Sequence, residues 1–197
     1  VSSLRYVFFN EEKLSFGTSI LGNTSSIEEM KLYYVGRSDG NCFSKFFSTE
    51  GDIEIQGRLD NYSIPETLKK IQISGKLIPW YAFKGCWSIE EIFIHSDIKK
   101  ICNMAFQECS GIKNVFYEGT TQEWVKISRS DYGSSPLLAG AHLYTYPDTG
   151  HTFEEVTSYE YITEQSIGYE FSGSRIENVI IPDNISRIDD YAFYNCK

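Results

Sequence analysis

The chain has no surplus of basic residues, no long apolar run and no recognisable metal- or phosphate-binding motif. Lys and Arg number 18 against 27 Asp and Glu, giving a formal net charge of −9 and a pI near 4.9. That balance argues against nucleic acid and an anionic bilayer surface as partners, since both want a basic patch. No apolar stretch approaches the roughly 18 residues needed to cross a bilayer, so this segment is not expected to insert into a membrane. The three histidines, His95, His142 and His151, share no ligand spacing with one another or with the five cysteines. C-x-x-C, H-E-x-x-H and glycine-rich phosphate loops do not occur. The one catalytic pattern, Gly36-Arg-Ser38-Asp-Gly40, matches G-x-S-x-G. It stands in a repeat array rather than a doubly wound sheet, and reads as a loop. No catalytic, metal or cofactor residue is therefore assigned.

What the chain does contain is a repeat. Phe83-Lys-Gly-Cys86-Trp-Ser-Ile89-Glu-Glu-Ile92-Phe-Ile94 returns 23 residues later as Phe106-Gln-Glu-Cys109-Ser-Gly-Ile112-Lys-Asn-Val115-Phe-Tyr117. A period of this size predicts units that cannot bury their own apolar faces and must stack on their neighbours. The unit is Ala-Phe-x-x-Cys-x-x-Ile-x-x-Ile-x-Ile, and its second half alternates like a strand with one buried face. Leu68-Lys-Lys-Ile71-Gln-Ile73 and Ile176-Glu-Asn-Val179-Ile-Ile181 are further copies. Leu4-Arg-Tyr-Val7-Phe-Phe9 and Ile27-Glu-Glu-Met30-Lys-Leu32 are degraded ones, again 23 apart. Phe171, Ser174 and Ile176 repeat the turn with one residue missing, and Phe153-Glu-Glu-Val156 reads as a weak strand. About five clear units and two weak ones result, a stack roughly 30 Å long at about 4.8 Å per strand.

Two stretches interrupt the period, about 33–67 and 118–151. The first carries Gly36, Gly40, Gly51, Gly57 and Pro65. The second opens on Thr120-Thr-Gln-Glu123, a capping-box spacing that predicts a short helix through Trp124 and Ile127. Residues 1–197 otherwise read as one repeat domain. Val1 is not an initiator Met, and Lys197 stands before the strand due after its turn. The chain therefore reads as a piece of a longer protein, with any signal peptide or wall anchor outside it.

These residues resemble the BspA-type leucine-rich repeats, found mostly in bacterial surface proteins and in some protists. The family pattern, L-x-x-I-x-I-P-x-x-V-x-x-I-x-x-x-A-F-x-x-C, is met from Ile176 to Cys196 with Pro182, Ile185, Ile188, Ala192 and Phe193 in place. Ile89 to Cys109 fits with Ile98 and Ile101, and has His95 where Pro is expected. Tyr117-Glu-Gly119-Thr-x-x-Glu-Trp124 is similar to a recurrent insertion of the family. The resemblance implies an α/β-type solenoid with little helix, coiling right-handed with a parallel sheet on its concave face. It implies an extracellular or cell-surface role in attachment, with a protein or glycan partner such as a host surface or extracellular matrix. A structural spacer in a larger surface protein or exported enzyme is the alternative.

The phase makes two further expectations. Cys86, Cys109 and Cys196 share one position and should form a ladder of small buried thiols, not disulfides. The residue between the last two apolar positions should point out of the concave face. Those residues are Phe8, Lys31, Gln72, Phe93, Phe116 and Ile180. Phe93 and Phe116, with Gln72 and Ile180, are the candidate ligand contacts, and the two phenylalanines should be neighbours. The competing expectations are that this pair only stabilises the sheet, or that the insertions cover it.

Overall fold

The computed structural model describes residues 4–9, 20–34, 43–47, 54–55, 58–59, 64–160 and 167–197. The Gly36–Gly40 motif and Cys42 lie outside the described residues. In chain order the strands are β1 (Tyr6–Phe8), β2 (Glu29–Tyr34), β3 (Glu54–Ile55), β4 (Arg58–Leu59), β5 (Lys70–Gly75), β6 (Leu77–Ile78), β7 (Glu91–His95), β8 (Lys100–Ile101), β9 (Asn114–Thr120), β10 (Ser128–Arg129), β11 (His142–Tyr146), β12 (Glu154–Glu155), β13 (Ser158–Glu160) and β14 (Asn178–Ile180). The only α-helix among the described residues, α1, is Thr121–Val125, so the fold is mostly strand.

Seven strands form one sheet in the order β1-β2-β5-β7-β9-β11-β12, parallel throughout except for β12. Alternation dictates which side faces in. In β7 and β9 every second residue (Ile92, Ile94, Val115, Tyr117) is wholly buried, and the residues between are half-buried. A second parallel sheet, β6-β8-β10, follows the same order of units, with Ile78 opposite Ile101. The inward residues of both sheets belong to a single apolar cluster.

The turns between strands repeat too. In Tyr81-Ala82-Phe83, Met104-Ala105-Phe106 and Tyr191-Ala192-Phe193 the residue before Ala is left-handed, with φ of 56°, 54° and 64°. The residue before the Cys position is left-handed in five units: Asn23, Gly85, Glu108, Gly173 and Asn195. Asn and Gly tolerate this conformation and Glu108 does not, at about 1–2 kcal/mol. The turns stack through backbone bonds, Phe43 N–H to Ala82, Phe83 N–H to Ala105 and Phe106 N–H to Gly133. The aromatic core rings follow, with Phe83 stacked on Phe106 at 5.2 Å and Phe43 tilted against Phe83 at 5.2 Å.

Several expectations need correction. The 176–181 segment does not join the main sheet: β14 pairs with β13 in a separate two-stranded parallel sheet. The reason lies in β12, which runs antiparallel to β11 and occupies the edge where the next parallel strand would sit. Phe153–Val156 is therefore an edge hairpin rather than a repeat strand. Phe193 is half-buried and belongs to no continuous stack with Phe106; Phe171, buried against Tyr159, is the core ring of that region. The 118–151 stretch is less of an interruption than its loose pattern suggests. Thr120 caps α1 with a full capping box to Glu123, and β11 then returns to the main sheet in register with β9. In the 33–67 stretch, Phe43 takes the buried ring position of a repeat turn.

Candidate functional site

On the side of the main sheet away from the core, one row runs across six strands. Phe8, Lys31, Gln72, Phe93, Phe116 and Tyr144 are successive partners in the register. Five of these were expected from the repeat phase; the sixth, Tyr144, was missed with its strand. Phe93 and Phe116 stack at 4.4 Å between ring centroids, and Phe116 and Tyr144 at 4.8 Å, all nearly parallel. Parallel register alone produces this, because equivalent side chains on adjacent strands stand about one strand spacing apart.

Ile180 does not belong to this site. It sits on β14 opposite Glu160, 57% exposed, beside a separate open pocket of about 540 Å³. Its phase is right, but the sheet that carries it is a different one.

The ends of the ring ladder differ. At one end Lys70 Nζ lies 4.6 Å from the Phe93 ring centroid, a cation over an aromatic face. At the other, Phe153 lies edge-on to Phe116 at 5.2 Å and to Phe93 at 6.1 Å, and stacks on Tyr146 at 4.7 Å. Phe153 thus covers part of the ladder from above. Burial pushes the Tyr144 and Tyr146 phenols up, with Glu155 and Glu118 respectively adding to it.

Beside Phe93 the surface dips into an open pocket of about 440 Å³ bordered by Lys31, Gln72, Ser74, His95, Asp97 and Glu118. The Gln72 amide donates to Glu29 Oε1, which also receives Lys70 Nζ at 3.4 Å. The Asp97 N–H donates to His95 Nδ1 at 3.2 Å, which in the neutral ring leaves the proton on Nε2, 3.8 Å from Glu118 Oε2. Donors and acceptors therefore border the pocket next to the Phe93 end of the ring ladder. No group of His, Cys, Asp and Glu among the described residues has the arrangement of a metal site.

The model of the BspA type leucine-rich repeat region matches the chain in six copies, over residues 1–113, 58–128 and 151–197. The chain belongs to that family. The match places the parallel ladder of strands within a leucine-rich repeat protein, a family associated with bacterial surface proteins. No curated protein and no solved structure matched the chain.

Proposed function

We propose that this BspA-type repeat chain is a non-catalytic recognition module, exposed on or secreted from a cell. In this reading residues 1–197 wind as one right-handed coil whose inner side is the seven-stranded sheet. The sheet face binds an extended protein or glycan partner. The observation that carries the reading is the ladder of Phe93, Phe116 and Tyr144 on the side away from the core, next to the Gln72–His95–Glu118 pocket. Aromatic rings in an otherwise polar face, flanked by hydrogen-bonding groups, fit the central anchors of a recognition surface. The expected contacts are Phe93, Phe116, Tyr144 and Gln72.

One observation favours a second reading. Phe153 packs edge-on across the ladder, as expected if the rings chiefly hold the β11–β12 edge in place. The chain would then be a spacer. Binding of the purified chain to arrayed glycans, to extracellular matrix proteins and to intact host cells separates the two. Saturable binding that Phe116→Ser abolishes supports recognition through this face. Absence of saturable binding on every surface, or binding indifferent to Phe116→Ser, contradicts it.

A further inference from the structure

The segment that follows β11 is a strap held on the ring ladder by few contacts. Asp148, Thr149, Gly150, His151 and Thr152 are all exposed, as are Glu154 and Glu155 of β12. Phe153 and Val156 alone among residues 148–156 turn partly inward. The rest of the attachment is two antiparallel pairs to β11, the Val156 N–H donated to the Leu143 carbonyl at 2.8 Å, and Glu155 Oε1 against His142 Nδ1. Yet this strap covers the two things that the sheet could offer a partner strand. One is the hydrogen-bonding edge of β11, and the other is the outward rim of the ladder.

Ring orientation decides what that rim accepts. Phe93, Phe116 and Tyr144 stand at strand spacing with neighbouring planes 13° and 18° apart, so their faces are turned along the row. Both faces of Phe116 are covered by its neighbours, and Lys70 Nζ lies over the Phe93 ring at 4.6 Å. A sugar ring packs on an open aromatic face, and this row turns none outward. It presents C–H edges, the positive side of the ring quadrupole, which favour a further ring set across them. Phe153 is such a ring: its plane crosses those of Phe116 and Phe93 at 62° and 71°.

We infer that the partner of this face is an extended polypeptide strand carrying an aromatic side chain, and that residues 147–156 are its stand-in, held in the seat until a partner displaces them. This rests on the recognition reading of the ladder and narrows its partner to protein. The partner strand pairs antiparallel with β11, as β12 does, and sets its aromatic residue across Phe93 and Phe116 in place of Phe153. Gly150, at φ 142° in the exposed turn, is the pivot on which the strap reverses. Competition makes the affinity adjustable, since whatever loosens the strap frees the seat for the partner.

The probe is a synthetic peptide with the chain's own sequence from Pro147 to Thr157, labelled and titrated to millimolar concentration. Physiological salt screens the repulsion between this acidic peptide and a chain of net charge −9. The hosts are the wild type, Phe153→Ser, and Phe153→Ser combined with Glu154→Pro, where proline also disturbs the pairing with β11. The double variant should bind the peptide saturably and the wild type about tenfold more weakly, with Phe153→Ser between them. Binding should vanish with Phe153→Ala in the peptide, and with Phe116→Ser added to the host. Equal affinity for wild type and variants, indifference to the peptide's phenylalanine, or no binding to a folded Phe153→Ser host would overturn the inference. Should the double variant not fold, Phe153→Ser against the wild type decides alone. A Phe116-dependent glycan ligand would overturn the polypeptide strand and leave the recognition reading standing. Peptide binding with no ligand on any glycan, matrix or cell surface would support the strand seat and contradict recognition of those surfaces.

Discussion

The Cys109 thiol donates to the carbonyl of Phe83, one unit earlier, at 2.8 Å. Cys196 makes the same bond to Phe171 at 3.2 Å. The repeated cysteine is thus more than a small apolar filler: its S–H ties each turn to the one before. Cys109→Ala should lower stability by about 1–2 kcal/mol, and Cys109→Ser by less, because the hydroxyl keeps a donor. Ser174, which holds this position one unit before Cys196, is the natural precedent. Chemical denaturation of both variants checks it; a serine variant weaker than the alanine variant contradicts the donor role.

The stacked rings give a graded expectation. Phe106→Ala, which empties a site packed against Phe83, should cost on the order of 3–5 kcal/mol. Phe193→Ala, at the same repeat position but half-buried, should cost only about 1–2 kcal/mol. Equal losses would mean that position within the repeat matters more than burial.

Backbone geometry sets two opposite outcomes in one turn. A Cβ on Gly111 would stand 1.9 Å from the Trp87 carbonyl oxygen and 2.9 Å from that of Ile89. Backbone cannot yield as a side chain does, so Gly111→Ala should destabilise by about 3 kcal/mol or more. Glu108, at φ 63°, should gain about 0.5–1 kcal/mol on replacement by Gly. The ion pair of Glu108 with Lys84 is long, at 3.8 Å, and its carboxylate is more than half exposed, so its removal offsets little of that gain. Melting temperatures moving in opposite directions check both.

Glu170 is buried, and that burial raises its carboxyl above the usual glutamate range, with Arg129 opposing the shift. The native state then holds the proton more tightly than the unfolded chain. Its contribution is full below the ordinary glutamate value and is lost as pH rises through the raised native value. The stability of the wild type relative to Glu170→Gln should therefore fall as pH rises through that window. A difference that is flat with pH, or that grows, contradicts the sign.

How much was legible in the sequence follows from where the periodicity acts. A period of 23 residues fixes strand phase, so the row through Lys31, Gln72, Phe93 and Phe116 is readable from the repeat alone. β11 was hidden because Ser134 and Leu137 stand where Phe and Cys are expected, although Leu143-Tyr-Thr145-Tyr still alternates. The misplacement of Ile180 has another cause. Local phase says which way a side chain points; it does not say which sheet the strand joins. That choice was made by β12, whose two antiparallel pairs with β11 leave no pattern of their own. Phe153 was invisible for the same reason, since its contact with the ladder depends on the turn that reverses the chain.

The double substitution Phe93→Ser with Phe116→Ser, measured for both binding and melting against any surface that the wild type binds, tests the central claim most directly. Loss of the two half-buried stacked rings and of their packing against Phe153 should cost about 2–4 kcal/mol, leaving the chain folded. The recognition account predicts a folded variant whose binding is gone. A variant that melts lower yet binds as the wild type does would contradict it, and would leave the ring ladder as a brace for the sheet.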